Sequence, residues 1–450
     1  FASSKYVAIL YRRAAYVVDE WFRIAPPSPP TNNTLSSSDQ TTTTTTNKLY
    51  QMLLKLLKHK DLVVQIWAAI ALKNILSEPT SPFNKQLFAP YLSPTIVLVS
   101  ALVHKLEHNY IHVHLLDIIS VIVMQMEQSI SHFAQPILKV LQQLWHCSED
   151  NHILRANIIQ TLASLIITHP EPHQLYKAIA PVLFQAVDVN QDASLFYLDD
   201  GLELWLATMQ SSARVMLVSL LKGVNTSSAN SSMNSSMNSS SPSFPQEFVQ
   251  AWRFVPMLFE ESLSHLKLAM DITCYYLVLG KEKFLSIFGK QVITMLQSLC
   301  PRIKNKAHTH IIKVVHYWLQ VIQPDKSPLI LPLQEMLVML VHKLKATTND
   351  DQLSKHIVLL LARIISKHRN TYLSLFSSEK MRKFIWKQLQ LSVSRGEMTL
   401  NPFEKKLILW ALITHQGTTP SPQQQQVIQD NQKQVLAQLK TIQQYQDFDI

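Results

Sequence analysis

Three carboxylates stand out as residues that could carry chemistry. Asp199, Asp200 and Glu203 lie in Tyr197–Trp205, which reads YLDDGLELW. Asp199 and Glu203 are four apart, so on a helix they share one face. General acid–base work would need a pocket and a partner that shifts one of these groups, and the sequence signals neither. It also lacks a glycine-rich phosphate loop, GxSxG and HExxH. No enzyme and no cofactor are expected. Two readings of the acids stay open. They suit a helix start, where negative charge offsets the positive helix end. They could equally form an acidic patch for a basic partner.

The 18 histidines invite a test for metal binding. His104, His108 and His112 are spaced four apart and would line one helix face. A turn is expected near His108 and Asn109, which breaks the stripe. His112 with His114, and His308 with His310, are two apart and point to different faces of a helix. Structural zinc sites bring Cys or acidic ligands at fixed spacing, and that spacing is absent. No metal site is expected. Cys147, Cys274 and Cys300 lie far apart with no CxxC, as buried thiols of a reducing compartment would.

The elements that position these residues read as helices. The chain is 47% hydrophobic and 16% charged, enough to bury a large core, and it holds only 6 Gly in 450 residues. So little glycine disfavours folds rich in tight turns. The net charge of +10 points weakly to an acidic partner or nucleic acid, because Lys and Arg form no run of five or six. Nucleic-acid binding is therefore not the favoured reading. No uninterrupted apolar run reaches about 18 residues, so no membrane insertion is expected.

Helix pairs recur along the chain at about 40–50 residues, the period of HEAT arrays. In Lys48–Leu76 one amphipathic helix is followed by a second, with Asp61 placed to cap it. Val64, Ala68 and Leu72 fall four apart on one stripe. Leu154, Ile158 and Leu162 repeat that register. Leu195, Leu198, Leu202 and Leu206 form another stripe, with Trp205 beside it and Gly201 interrupting. The predicted fold is an all-α HEAT-repeat solenoid, with Val64, Ala68, Leu72, Leu154, Ile158, Leu162, Leu202 and Trp205 in the repeat core.

The predicted organisation follows from composition. Residues 1–24 hold the helix of a truncated first repeat, and the chain reads as a piece of a longer protein. Ala25–Asn47 and Lys222–Ser243 are low-complexity tracts expected to be disordered. Repeats occupy 48–221 and, as HEAT-like pairs, 244–417. A Gln-rich polar tail covers 418–450.

The order of several motifs carries a resemblance. YLDDGLELWL (Tyr197–Leu206) is similar to a segment EDGLELWL in the importin-β (karyopherin) family of nuclear transport receptors. Arg12–Ala15 followed by Trp21, Leu49-Tyr50 with Asp61–Lys73, and Leu144–Arg155 resemble segments of the same family in the same order. The likeness is strong to about residue 210 and rests on helix pattern beyond it. It implies a superhelical stack of HEAT repeats that binds protein cargo on its second-helix surface. It implies Phe-Gly nucleoporins on the first-helix surface. It implies Ran GTPase bound mainly through N-terminal repeats that are expected to lie outside this chain, and shuttling between cytoplasm and nucleus through the nuclear envelope. On that basis Asp199, Asp200 and Glu203 are candidate cargo contacts. A HEAT scaffold for a cytosolic complex without Ran is the alternative.

Overall fold

The structure, a computed structural model, describes residues 7–17, 38–77, 83–106, 109–226, 246–259, 263–322, 333–346, 351–394 and 402–415. All regular structure there is helical. Helix α1 covers residues 7–17. Then follow α2 (Ser38–Leu57), α3 (Leu62–Ser77), α4 (Lys85–Lys105), α5 (Asn109–Met126), α6 (Ala134–His146), α7 (His152–Thr168), α8 (Tyr176–Ala186), α9 (Leu198–Thr226) and α10 (Phe254–Met257). After them come α11 (Leu266–Leu299), α12 (Asn305–Val321), α13 (Gln334–Ala346), α14 (Asp351–Lys367), α15 (Arg369–Leu375), α16 (Glu379–Ser394) and α17 (Pro402–His415). The chain divides into two compact units, Phe1–Tyr275 and Tyr276–Ile450.

The first unit is a two-layer HEAT array. Pairs α2/α3, α4/α5, α6/α7 and α8/α9 are antiparallel neighbours. First helices α2, α4 and α6 pack in series, as do second helices α3, α5, α7 and α9. The reason lies in burial. α3 hides Val64, Ala68, Ala69, Ala71, Leu72, Ile75 and Leu76, more than one flank of the helix. A helix apolar on several sides needs neighbours on several sides. Asn84 and Asn151 cap α4 and α7 by accepting from the Leu87 and Leu154 amides, each at 2.9 Å. Asp61 accepts from the Val64 amide at 3.1 Å at the start of α3 and pairs with Arg12 at 2.7 Å. That guanidinium holds the Asp61 carboxyl below the usual carboxylate range.

Polar rungs tie each repeat to the next. Lys73 meets Asp117 at 2.9 Å, Lys85 meets Glu127 at 2.6 Å, and the Trp145 indole donates to Gln185 at 2.8 Å. Partners sit about one repeat period apart in sequence.

Several expectations need correction. Residues 38–47, assigned to a disordered insert, are the opening turns of α2. Extending an existing helix into a threonine run costs only tenths of a kcal/mol per residue and avoids a new nucleus. Residues 222–226 likewise finish α9. The remainder of both tracts, and the Gln-rich tail, lie outside the described residues. The HEAT-like pairs expected over 244–417 do not open on a full helix: the chain runs through 3₁₀ turns at Gln246–Phe248 and Gln250–Arg253 and then the single turn α10. Pro256 lacks the amide a longer helix would need there. Cys147 is exposed because it follows the last turn of α6, where the chain bends outward; Cys274 and Cys300 are buried, and all three are free thiols. Finally, Lys85–Lys105 and Ile111–His146 are long and apolar enough to cross a membrane by length and composition. Counting uninterrupted apolar runs missed them, because an isolated Pro, Ser, Thr or Gln ends a run while lowering the segment's mean hydropathy only a little. α4 packs on α2, α5 and α6 and buries Phe88, Leu92, Ile96, Val99, Leu102 and Val103 against them.

The second unit repeats the scheme with α12, α14 and α17 as packed second helices and α13 and α16 as partners. α11 breaks at Lys281, whose φ of 47° and ψ of −140° leave the helical region. His316 on α12 is half-buried, and burial together with Arg363 and other cations pushes its pKa down to about 4. The folded chain therefore resists a proton that the unfolded chain binds near pH 6.5. This contribution is intact above pH 6.5 and drains away as pH falls toward 4.

Two expectations follow for the fold. Ala68→Glu puts an unpaired charge at a fully buried position and should cost about 3 kcal/mol or more, read as a large drop in melting temperature; an unchanged melting curve would show Ala68 to be outside the core. The melting temperature should also fall between pH 7 and pH 5, and His316→Gln should reduce that slope. An equal slope in the variant would remove His316 from the account.

Candidate functional site

The acidic stretch opens α9, a second helix of the array. The helix starts at Leu198, later than the apolar spacing suggests. Asp188 is the cause. Its carboxylate accepts from the Asn190 amide at 3.2 Å and its carbonyl accepts from the Ser194 hydroxyl at 2.8 Å. These bonds turn residues 189–196 away from the helix. Leu195 therefore leaves the expected stripe and stands 67% exposed. From Leu198 onward Gly201, Leu202, Leu204, Trp205, Ala207, Thr208 and Met209 are buried, so α9 is enclosed on most of its circumference.

Gly201 shows why this helix tolerates a glycine. A Cβ built there would sit 2.9 Å from the Cβ of Ala186 and 3.2 Å from its backbone on α8. The two helices touch through their backbones at this point. All eight residues assigned to the repeat core are buried: Val64, Ala68, Leu72, Leu154, Ile158, Leu162, Leu202 and Trp205.

The three acids have different surroundings. Asp199 is exposed and reaches His265 Nδ1 at 2.9 Å, a rung to the segment that precedes α11. Asp200 accepts from Gln160 Nε2 on α7 at 2.7 Å, a rung to the preceding repeat. Glu203 is exposed and has no hydrogen bond or ion pair among the described residues. So Asp200 serves the array, Asp199 bridges to His265 while its carboxylate stays open to solvent, and Glu203 faces solvent with no partner among the described residues.

Sequence spacing did not reveal what lies beside them. Phe196 is 67% exposed and stacks on the His152 ring at 4.2 Å and 9°. Ile153, next to His152, is 69% exposed. Beneath, the Arg155 guanidinium lies 4.5 Å from the Trp145 ring centroid, and it donates to the Tyr197 hydroxyl at 3.1 Å. Exposed apolar side chains thus flank the acidic stretch in sequence at Leu195 and Phe196, and Ile153 stands exposed beside the His152 that Phe196 covers. Residues 146–213 hold eight Asp and Glu against Arg155 and Lys177 in a chain that is otherwise basic. Acid beside exposed aromatic surface can hold a cationic segment that also brings an apolar anchor. The signal that could have found it was Asp188-Val-Asn190, a turn sequence inside apparent helix.

The histidines do not converge. His104 is on α4 and His112 on α5, where His112 Nε2 donates to the Val103 carbonyl at 3.1 Å; His108 lies outside the described residues. His308 repeats this arrangement, with Nε2 3.1 Å from the Cys300 carbonyl. Among the described residues no three His, Cys, Asp or Glu come together to hold a metal.

Known proteins resemble this chain in sequence and fold. A family model described as Importin-11-like, TPR repeats, matches residues 231–445. That extends the sequence kinship into the half where only helix pattern had been expected. Importin-11 of Mus musculus is 24% identical over 373 residues, covering 81% of this chain and 35% of that protein. Importin-11 of Homo sapiens is 24% identical over 380 residues with the same coverage. The chain spans about a third of the length of these relatives. A solved structure of Lph2, a bidirectional nuclear transport receptor in S. cerevisiae, superposes with a TM-score of 0.71 at 17% identity, over 92% of this chain and 41% of that one.

The contact at Gly201 yields a test. Helix propensity alone predicts that Gly201→Ala stabilises by about 1 kcal/mol. The Ala186 contact predicts the opposite sign, a loss of about 1–3 kcal/mol from overpacking. Melting of Gly201→Ala, and of Gly201→Ala with Ala186→Gly, decides between them; the double variant should recover part of the loss.

Two lines of observation, sequence likeness and stacked helix pairs, converge: the chain is similar in sequence to importin-11 and is folded as a HEAT-repeat array.

Proposed function

We propose that this chain is part of a nuclear transport receptor that carries protein cargo. The observation behind the reading is the ordered likeness to importin-11 along a HEAT array whose second helices present side chains outward. Stacked arrays of this kind offer extended faces suited to binding another protein. The second-helix layer of the first unit supplies one such face, with Asp199 and Glu203 in the first turns of α9 and Leu195 and Phe196 just before it. A basic cargo segment meets the acids there, and an apolar residue of that segment covers Phe196.

The first-helix side carries a second surface. A groove between α11 and α13 is lined by Lys290, Ile293, Thr294, Gln297, Gln334, Glu335 and Val338. Ile293 and Val338 give it an apolar floor that could receive a Phe side chain of a nucleoporin repeat. Ran GTPase would act through repeats of the complete protein. Such a receptor works in the cytoplasm, in the nucleus and at the nuclear envelope between them.

The complete receptor provides the test. It should bind Ran locked in its GTP form, and Ran should release its cargo. Cargo that stays bound and indifferent to Ran would indicate a HEAT scaffold instead. Glu203→Lys, alone and with Phe196→Ser, should weaken cargo binding about tenfold at low salt and less at high salt, with melting unchanged. Binding unaltered by both changes would take this face out of cargo recognition.

A further inference from the structure

The positive charge of the chain is unevenly placed. Residues 276–450 hold 23 of the 41 Lys and Arg but only 11 of the 31 Asp and Glu. Residues 1–275 are slightly acidic by the same count. Part of the surplus lies on second helices. On α14, His356, Arg363 and Lys367 are spaced seven and four apart and share one face. On α12, Lys313 and His316 are three apart. α12 and α14 pack side by side. His316 feels Arg363, His356 and Lys367 as neighbouring charges.

Two of these groups, Arg363 and Lys367, are cations with no carboxylate partner among the described residues. Arg363 is half-buried, and its Nε is shut from solvent without a hydrogen-bond partner. Neither Arg363, His316 nor Lys367 forms an ion pair among the described residues. The neighbouring residue shows the contrast. Lys355, on the same helix, holds Glu404 of α17 at 3.0 Å. Glu404 is also the carboxylate that faces His356. It is already engaged, so it does not answer Arg363. A guanidinium stays charged throughout the ordinary pH range and offers five donors. Holding one half-buried and unmatched is costly, and an anionic partner removes that cost.

We propose that the seam between α12 and α14 is a docking site for an acidic protein segment. One Asp or Glu carboxylate of the segment pairs with Arg363. Adjacent acids meet Lys367 at the solvent edge. Depth favours protein over nucleic acid. A carboxylate on a flexible side chain can enter the seam between two helices. The phosphates of a duplex are fixed on a wide, stiff surface and meet only cations that project. The inference rests on this seam alone and holds whether or not the chain carries cargo, so loss of Ran binding would leave it standing.

The test uses the full chain and a fluorescent peptide of twenty residues rich in Glu and Asp, with a twenty-nucleotide RNA as comparison. The peptide should bind, and binding should weaken steeply between low and high salt. Arg363→Gln should weaken it about tenfold, and Arg363→Lys should recover part of that. Lys283→Gln, an exposed change on α11 outside both proposed surfaces, should have no effect. Arg363→Gln should leave melting unchanged or raise it, because it removes an unmatched charge; a purely structural arginine would lower it. Should Arg363→Gln fail to fold, exposed Lys367→Glu carries the same expectation. The proposal is overturned if both Arg363→Gln and Lys367→Glu leave peptide affinity unaltered. It is overturned also if RNA binds more tightly and loses affinity in parallel, which would make this a nucleic-acid surface.

Discussion

Every helix pair in this protein has more apolar surface than the pair itself can cover. That constraint organises the rest. α3, α5, α7 and α9 are each apolar on flanks that their own first helix cannot reach. They reach water-free packing only by lying against the second helices before and after them. Burial of this kind is non-directional and would permit sliding. The polar rungs supply direction. Lys73 with Asp117, Gln160 with Asp200 and Lys355 with Glu404 fix how far along its neighbour each helix sits. Being partly exposed, each contributes modest energy, and its larger effect is on alignment.

The same rungs shape how the acidic stretch should be understood. Sequence spacing placed Asp199, Asp200 and Glu203 together because they are close along a helix. The structure separates them by occupation. Gln160 holds Asp200 and His265 meets Asp199, whereas Glu203 faces water. Spacing reports which face a residue is on; it cannot report which distant residue arrives at that face. The repeat core was legible for the opposite reason. Val64, Ala68 and Leu72, or Leu154, Ile158 and Leu162, are set by a local period that every pair shares. Leu195 shows the limit, since a carboxylate seven residues earlier, Asp188, turned it outward.

Charge was the least legible property. A net value of +10 with no basic run suggests dispersion. Folding gathers residues from different repeats, so basic side chains some fifty positions apart in sequence, such as His316 and Arg363, become neighbours. The acidic end of α9 and the basic seam of α14 are both products of stacking. A repeat array can thus carry surfaces of opposite sign on equivalent helices, with one sequence pattern in the core beneath them.

The histidine bridges at His112 and His308 have a kinetic meaning. Each joins the start of a second helix to the last carbonyls of its own first helix, eight or nine residues back. The two helices of a hairpin are therefore fastened across a very short loop, at little closure entropy. Contacts this local form early, ahead of any contact between repeats. A newly made chain can lock one hairpin after another as it emerges, and each finished hairpin offers the next a ready surface. Assembly in that order spares the protein the long search that sheet proteins of this length require.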